Sequence, residues 1–174
     1  MWHGRGFTVA RGDAEFVEFA RAASARLVHA AFLMTGDHHQ AEDAAQTALV
    51  RTYASWSRIH DDDAYGYARR TLVNHLVDRW RRPMREYPTD EVPEQRRGDV
   101  ADDVATRRWL VAILGVLSPR ERAIVVLRYY FDLPEAQVAR ELAVSVGTVK
   151  STSSRALEKL RTAAPHTTDE GARR

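Results

Sequence analysis

Between Pro83 and Asp102 lie about 20 residues, rich in proline and charge, that carry no apolar period. No single hydrophobic core can run through such a stretch. On either side of it apolar residues recur at helical spacing and strand signals are almost absent. The chain therefore reads as all-α, with two small helical domains. An N-terminal extension covers residues 1–12, a first domain 13–85, a linker 86–102, a second domain 103–163, and a disordered tail 164–174. A chain of 174 residues is long enough for two such cores. Fully extended, the roughly 20 residues from Pro83 to Asp102 reach up to about 65 Å, enough to set two domains on separate segments of one long partner.

The most informative run within the second domain is Leu133 to Leu160, which reads as two helices joined by a tight turn. Ser145 suits the N-cap of the second helix, and Gly147 in its first turn permits close backbone approach to a phosphate. At about 100° per residue, Val149, Ala156, Leu157 and Leu160 fall on one side, to pack on Val138, Ala139 and Leu142. Lys150, Ser151, Ser154 and Arg155 fall on the other. Arginine pairs bidentately with guanine, and lysine suits guanine or a phosphate, so this face is built to read a DNA major groove. An ordinary solvated face usually mixes acids with bases, whereas Glu158 is the only acid between Ser145 and Arg161. Upstream, Leu110, Ile113, Leu114 and Leu117 have core-facing spacing. Ser118-Pro-Arg-Glu121 matches a capping box with proline at the first helical position. The helix it opens buries Ile124, Leu127 and Phe131.

In the first domain, one helix spans Asp13 to Met34 and ends at the turn Thr35-Gly-Asp37. A second runs from about His38 to Ser55 with Asp37 as cap. Asp43 and Gln46, three apart, share a face. After Trp56 a polar loop leads to Asp63, and a third helix covers roughly Asp63 to Arg82. Leu72, Leu76 and Trp80 mark its buried stripe, with Tyr65 and Ala68 adding to it. Arg70, Asn74, Asp78 and Arg81 line another side, where an amide among guanidinium groups suits contact with bases and phosphates. Helix capping and solvation account for the acidic triplet Asp61–Asp63, since no phosphate-binding loop accompanies it.

Composition sets the outer limits. Net charge is only +2, so nucleic-acid affinity must come from local patches. Cysteine is absent, which excludes disulfides, thiolate zinc sites and a thiol nucleophile. No apolar run approaches the roughly 20 residues that span a bilayer. Asp13, Glu15 and Glu18 interrupt any signal-peptide pattern. A cytoplasmic protein without membrane insertion is expected.

With these features in place, the chain resembles an extracytoplasmic-function sigma factor of the sigma-70 family, the small two-domain class of bacterial promoter-recognition subunits. Leu33 to Tyr53 resembles the family's polymerase-binding helix, Tyr67 to Arg82 its −10 helix, and Leu117 to Arg161 its −35-binding domain, including Gly147–Ser151. The three stretches occur in the family's order. The resemblance implies that Asp43 and Gln46 dock on the clamp helices of the polymerase β′ subunit. It implies that Asn74, with Arg58, Arg70 and Arg81, contacts the −10 element, and that the loop from Trp56 to Ala64 captures a flipped base. It further implies that Thr148, Lys150, Ser151, Ser154 and Arg155 read the −35 element, and that the linker threads the polymerase's RNA channel. Implied partners are core RNA polymerase, through its β′ clamp helices and β flap, and promoter DNA, with an anti-sigma protein as a further candidate. No cofactor or metal is implied. Two positions depart from the family: Thr152 stands where arginine is common, weakening a phosphate or internal contact, and Gln137 where glutamate is common, removing a local salt bridge.

Two other readings compete. A two-domain regulator with a response-regulator-type output domain shares the Leu117-Ser-Pro-Arg-Glu121 start and the Thr148-Val-Lys150 core, but that class usually carries a β-containing domain upstream. An all-α hydrolase using His38, His39, Glu42 and Asp43 lacks any nucleophile–base arrangement or phosphate cradle.

Overall fold

The computed structural model describes residues 11–59, 63–81 and 109–164. The linker 86–102, most of the N-terminal extension, the tail beyond Ala164 and part of the loop before Asp63 lie outside the described residues. Among those described, every regular element is helical. The chain divides between residues 79 and 80 into two units, each with its own core.

In the first unit, α1 spans Arg11–Thr35 and α2 His38–Ala54. Between them Gly36 takes a left-handed φ of 74° and its N–H bonds to the Phe32 carbonyl at 2.8 Å, closing α1. Asp37 then opens α2, its carboxylate accepting from the Gln40 backbone N–H at 3.0 Å and the Gln40 side-chain amide at 3.1 Å. Those bonds hold the Asp37 pKa below the ordinary carboxylate value. The buried side of α2 is Ala41, Ala44, Ala45, Ala48 and Thr52. Such small residues let the helix axes approach closely, against Leu27, Ala30, Ala31 and Met34 of α1. Burying Leu27 completely contributes roughly 2 kcal/mol, and a leucine at Ala44 would overfill the seam.

A 3-10 turn, Trp56–Arg58, follows, and α3 spans Ala64–Arg81. Aromatic packing on α1 anchors the turn: Trp56 packs edge-on against Phe16 at 5.2 Å between centroids and lies 5.1 Å from Phe19. The Tyr67 and Ser55 hydroxyls, 3.0 Å apart, tie α3 to the end of α2. The buried stripe of α3 is Ala68, Leu72, Val73 and Leu76, while Tyr65 and Trp80 are only partly covered.

In the second unit a helix over 109–114 (α4) precedes α5, Pro119–Val125. The capping box forms in full: Ser118 Oγ accepts from the Glu121 N–H at 3.3 Å, and Glu121 Oε2 accepts from the Ser118 N–H at 2.9 Å. The Arg122 guanidinium closes α4 by donating to the carbonyls of Leu114 at 3.1 Å and Leu117 at 3.3 Å. After Val125 the helix widens into a π-turn, Val126–Tyr130, ending at Asp132 with φ 54°. The core gathers Leu114, Leu117, Ile124, Val126, Leu127 and Phe131 from this side. α6, Glu135–Leu142, and α7, Val146–Ala163, add Val138, Leu142, Val149 and Ala156. Leu110 and Ile113, expected in the core, are only half-buried.

Candidate functional site

The turn between α6 and α7 sets the direction of the last helix. Ala143 is left-handed at φ 52°; its N–H bonds to the Arg140 carbonyl at 3.3 Å, and the Val144 N–H to the Ala139 carbonyl at 2.9 Å. This is the Schellman closure, normally built on glycine. Ser145 then caps α7, its Oγ accepting from the Thr148 N–H at 3.1 Å and lying 2.8 Å from Thr148 Oγ1. The Thr148 hydroxyl is thus drawn into the cap. An added Cβ at Gly147 would meet only Ser145 Oγ, at 3.9 Å, so the backbone there stands open to an approaching group.

Beyond the cap, α7 separates into two faces. Val149, Thr152, Ser153 and Ala156 are buried; Lys150, Ser151, Ser154 and Arg155 are exposed. Arg155 Nε donates to the Ser151 carbonyl at 3.3 Å, the one bond made by its guanidinium among the described residues. Both terminal nitrogens remain to form a fork toward a base edge. Lys159 is committed elsewhere: Nζ meets Glu121 Oε1 at 2.8 Å and Oε2 at 3.0 Å. That bond, with the Ser118 N–H, lowers the Glu121 pKa. It also pins the later turns of α7 to the start of α5.

Ser153 was absent from the apolar stripe read in the sequence, yet it is buried and its Oγ lies 3.2 Å from the Tyr129 hydroxyl. Its spacing of four from Val149 and three from Ala156 is the signal that places it there. Thr152, at the position where arginine is common, is also on the buried side. Gln137 keeps a local contact without charge, its amide donating to Glu141 Oε1 at 3.2 Å.

On α2 the side opposite the alanine seam carries Asp43, Gln46, Val50 and Tyr53, all exposed, at successive spacings of three, four and three. Val50 is 62% exposed, a large apolar side chain beside the expected docking pair that the sequence reading passed over. Asp43 Oδ2 lies 3.9 Å from Arg79 Nη1 of α3. His38, by contrast, stacks on Phe32 with ring centroids 3.9 Å apart, an internal role for half of the histidine pair.

On α3, Asn74 is exposed and Arg70 half-buried one turn before it. Arg70 Nη2 bonds to Asp63 Oδ2 at 2.6 Å, which lowers the Asp63 pKa. Arg58 is exposed in the separate 3-10 turn. Arg81 closes α3, but its side chain is outside the described residues. Arg69, immediately before Arg70, is buried. Among the described residues no group of three or more histidines or acids is placed to hold a metal.

Two family models match these units: sigma-70 region 2 over residues 19–86 and sigma-70 region 4 over 107–160. An RNA polymerase sigma-E factor of Streptomyces coelicolor is 40% identical over 149 residues, covering 84% of each chain. The extracytoplasmic-function RNA polymerase sigma factor SigL of Mycobacterium tuberculosis is 31% identical over 83% of this chain and 93% of its own. In fold, the sigma factor RpoE of Bartonella quintana, solved with the anti-sigma factor NepR, superposes with TM-score 0.64 at 18% identity, covering 85% of this chain and 95% of that one. The match of region 2 to the helical first unit disfavours the response-regulator-type reading. The chain belongs to the extracytoplasmic-function group of the sigma-70 family, a promoter-specific initiation factor for RNA polymerase rather than an enzyme.

Proposed function

We propose that the three exposed faces divide the work of initiation as follows. Asp43 and Gln46, flanked by Val50, dock on the β′ clamp helices of core polymerase, the carboxylate and amide giving orientation and the valine apolar area. Lys150, Ser151, Ser154 and Arg155, with the Thr148–Ser145 cap against the backbone, read the −35 element. Asn74, Arg70, Arg58 and Arg81 engage the −10 strand, and the loop ahead of α3 holds a base taken out of the stack. The second unit rests on the β flap, and the linker 86–102 joins the domains 13–85 and 103–163 through the RNA channel. Work of this kind places the protein in the cytoplasm. An anti-sigma protein, as in the Bartonella complex, would compete for the same faces.

The observation that carries this reading is the two-sided burial of α7. Four hydroxyl or cationic side chains stand exposed, while the four residues interleaved with them are sealed into the core. A helix so held offers its polar face as a rigid unit, as groove reading requires. Transcription from a promoter library by core polymerase supplemented with this chain tests it. Start-site selection that depends on Lys150 and Arg155 is the expected result. Selection unchanged in the Lys150→Ala and Arg155→Ala variants would remove α7 from the reading surface.

A further inference from the structure

The Arg70 guanidinium lies against the carboxylate of Asp63 with Nη2–Oδ2 at 2.6 Å and Nη1–Oδ1 at 3.5 Å. Two nitrogens of the fork face two oxygens of one acid, the arrangement by which arginine takes a phosphate or the edge of a guanine. The pair is at the surface, with 38% of the Arg70 side chain and 59% of the Asp63 side chain accessible, so a nucleic acid can reach it. It also depends on Gly66. A Cβ there would stand 2.2 Å from Asp63 Oδ1 and 3.3 Å from Asp63 Cγ, so any other residue would push the carboxylate aside.

We infer that Asp63 is a built-in competitor for the −10 surface, occupying the fork of Arg70 until a DNA strand displaces it. The inference rests on the −10 role proposed for Arg70. A carboxylate at this place opposes every strand alike, since phosphate repulsion carries no sequence. Weak sites lose occupancy in proportion, whereas a promoter site bound well above saturation barely changes. Asp63 thereby sets the affinity threshold that separates promoters from bulk DNA.

The test uses holoenzyme assembled from core polymerase and the full chain, with a random-sequence single-stranded DNA oligonucleotide as probe, titrated across a potassium chloride series. Asp63→Asn is expected to bind up to about fivefold more tightly, the range of an exposed ion pair. Its log–log salt slope should steepen by up to about 0.7, because the patch then faces the phosphates with one more net positive charge. Gly66→Ala should move affinity in the same direction, and Asp63→Asn should have no effect in an Arg70→Ala background. Unchanged or weaker binding by Asp63→Asn, where Arg70→Ala alone weakens binding, overturns the competitor role and leaves Arg70 on the −10 surface. An effect of Asp63→Asn that persists without Arg70 also overturns it. Full binding by Arg70→Ala overturns the −10 role and the competitor role together.

Discussion

Helices α3 and α7 both turn basic groups toward solvent, yet they hold them differently. On α7 the exposed Arg155 bonds, among the described residues, only to a backbone carbonyl, and Lys159 is anchored to Glu121 of α5, away from Lys150 and Ser151. On α3 the cations share acids: Arg70 with Asp63, and Arg79 with Asp43 of α2. The last helix therefore presents its reading face ready-made. The earlier one must exchange partners as it engages. Exposed ion pairs contribute only about 0–1 kcal/mol each, so the exchange is easy, but it gives the first unit a threshold that the second lacks. It also links two duties, because Asp43 belongs to the face proposed for polymerase while its partner belongs to the helix proposed for DNA.

The comparison can be broken most forcefully at the core of the second unit. Leu127 is completely buried, so Leu127→Ala should cost about 3 kcal/mol. Hydrogen exchange should show α5, α6 and α7 losing protection while α1 and α2 keep theirs; simultaneous loss in both would refute separate cores. Next in size, Arg155→Ala should lose about 1–3 kcal/mol of discrimination at one −35 position. A promoter-variant screen with unchanged base preference would contradict that. Asp43→Ala should weaken core-polymerase binding by about tenfold, an anchor-sized loss of about 1.4 kcal/mol, and leave α7's DNA preference intact. Equal retention of core polymerase by mutant and wild type would take Asp43 out of the interface.

Smaller effects sharpen the picture of how α7 is held. Ala143→Gly should raise the stability of the second unit by about 1 kcal/mol, since the left-handed turn penalises a Cβ; a lower Tm would show that the closure is unstrained. Glu121 has its pKa lowered by Lys159 and by the Ser118 N–H. A depressed carboxylate stabilises the fold above its unfolded pKa, near the ordinary 4.5, and that contribution is lost as pH falls through the folded value. Acid unfolding of the second unit below about pH 4.5 should accordingly be less steep in Glu121→Gln, by up to about 1 kcal/mol. Identical acid profiles would remove the pair from the stability of α7.

Much of this organisation is legible in the sequence where the cause is local. The cap at Asp37, the capping box at Ser118 and the cap at Ser145 each depend on residues three positions apart, and each forms. The expected helix bounds hold to within two residues at α1, α2 and α3. What stays hidden depends on tertiary placement. Tyr129 and Ser153 are 24 positions apart, and Glu121 and Lys159 are 38. No spacing rule joins them. The Asp63–Arg70 pair, seven apart, crosses a helix start at which Gly66 leaves room for the carboxylate. The exposure of Val50 likewise appears only once the alanine seam of α2 is seen to face α1.

The most direct measurement is the pattern of sequence enriched when core polymerase carrying this chain transcribes a randomised promoter library. Two short blocks at a fixed separation are expected, with Arg155→Ala relaxing only the upstream block and Asn74→Ala only the downstream one. A single enriched block, or both blocks relaxing together in either variant, would contradict two independent reading surfaces on one tethered chain.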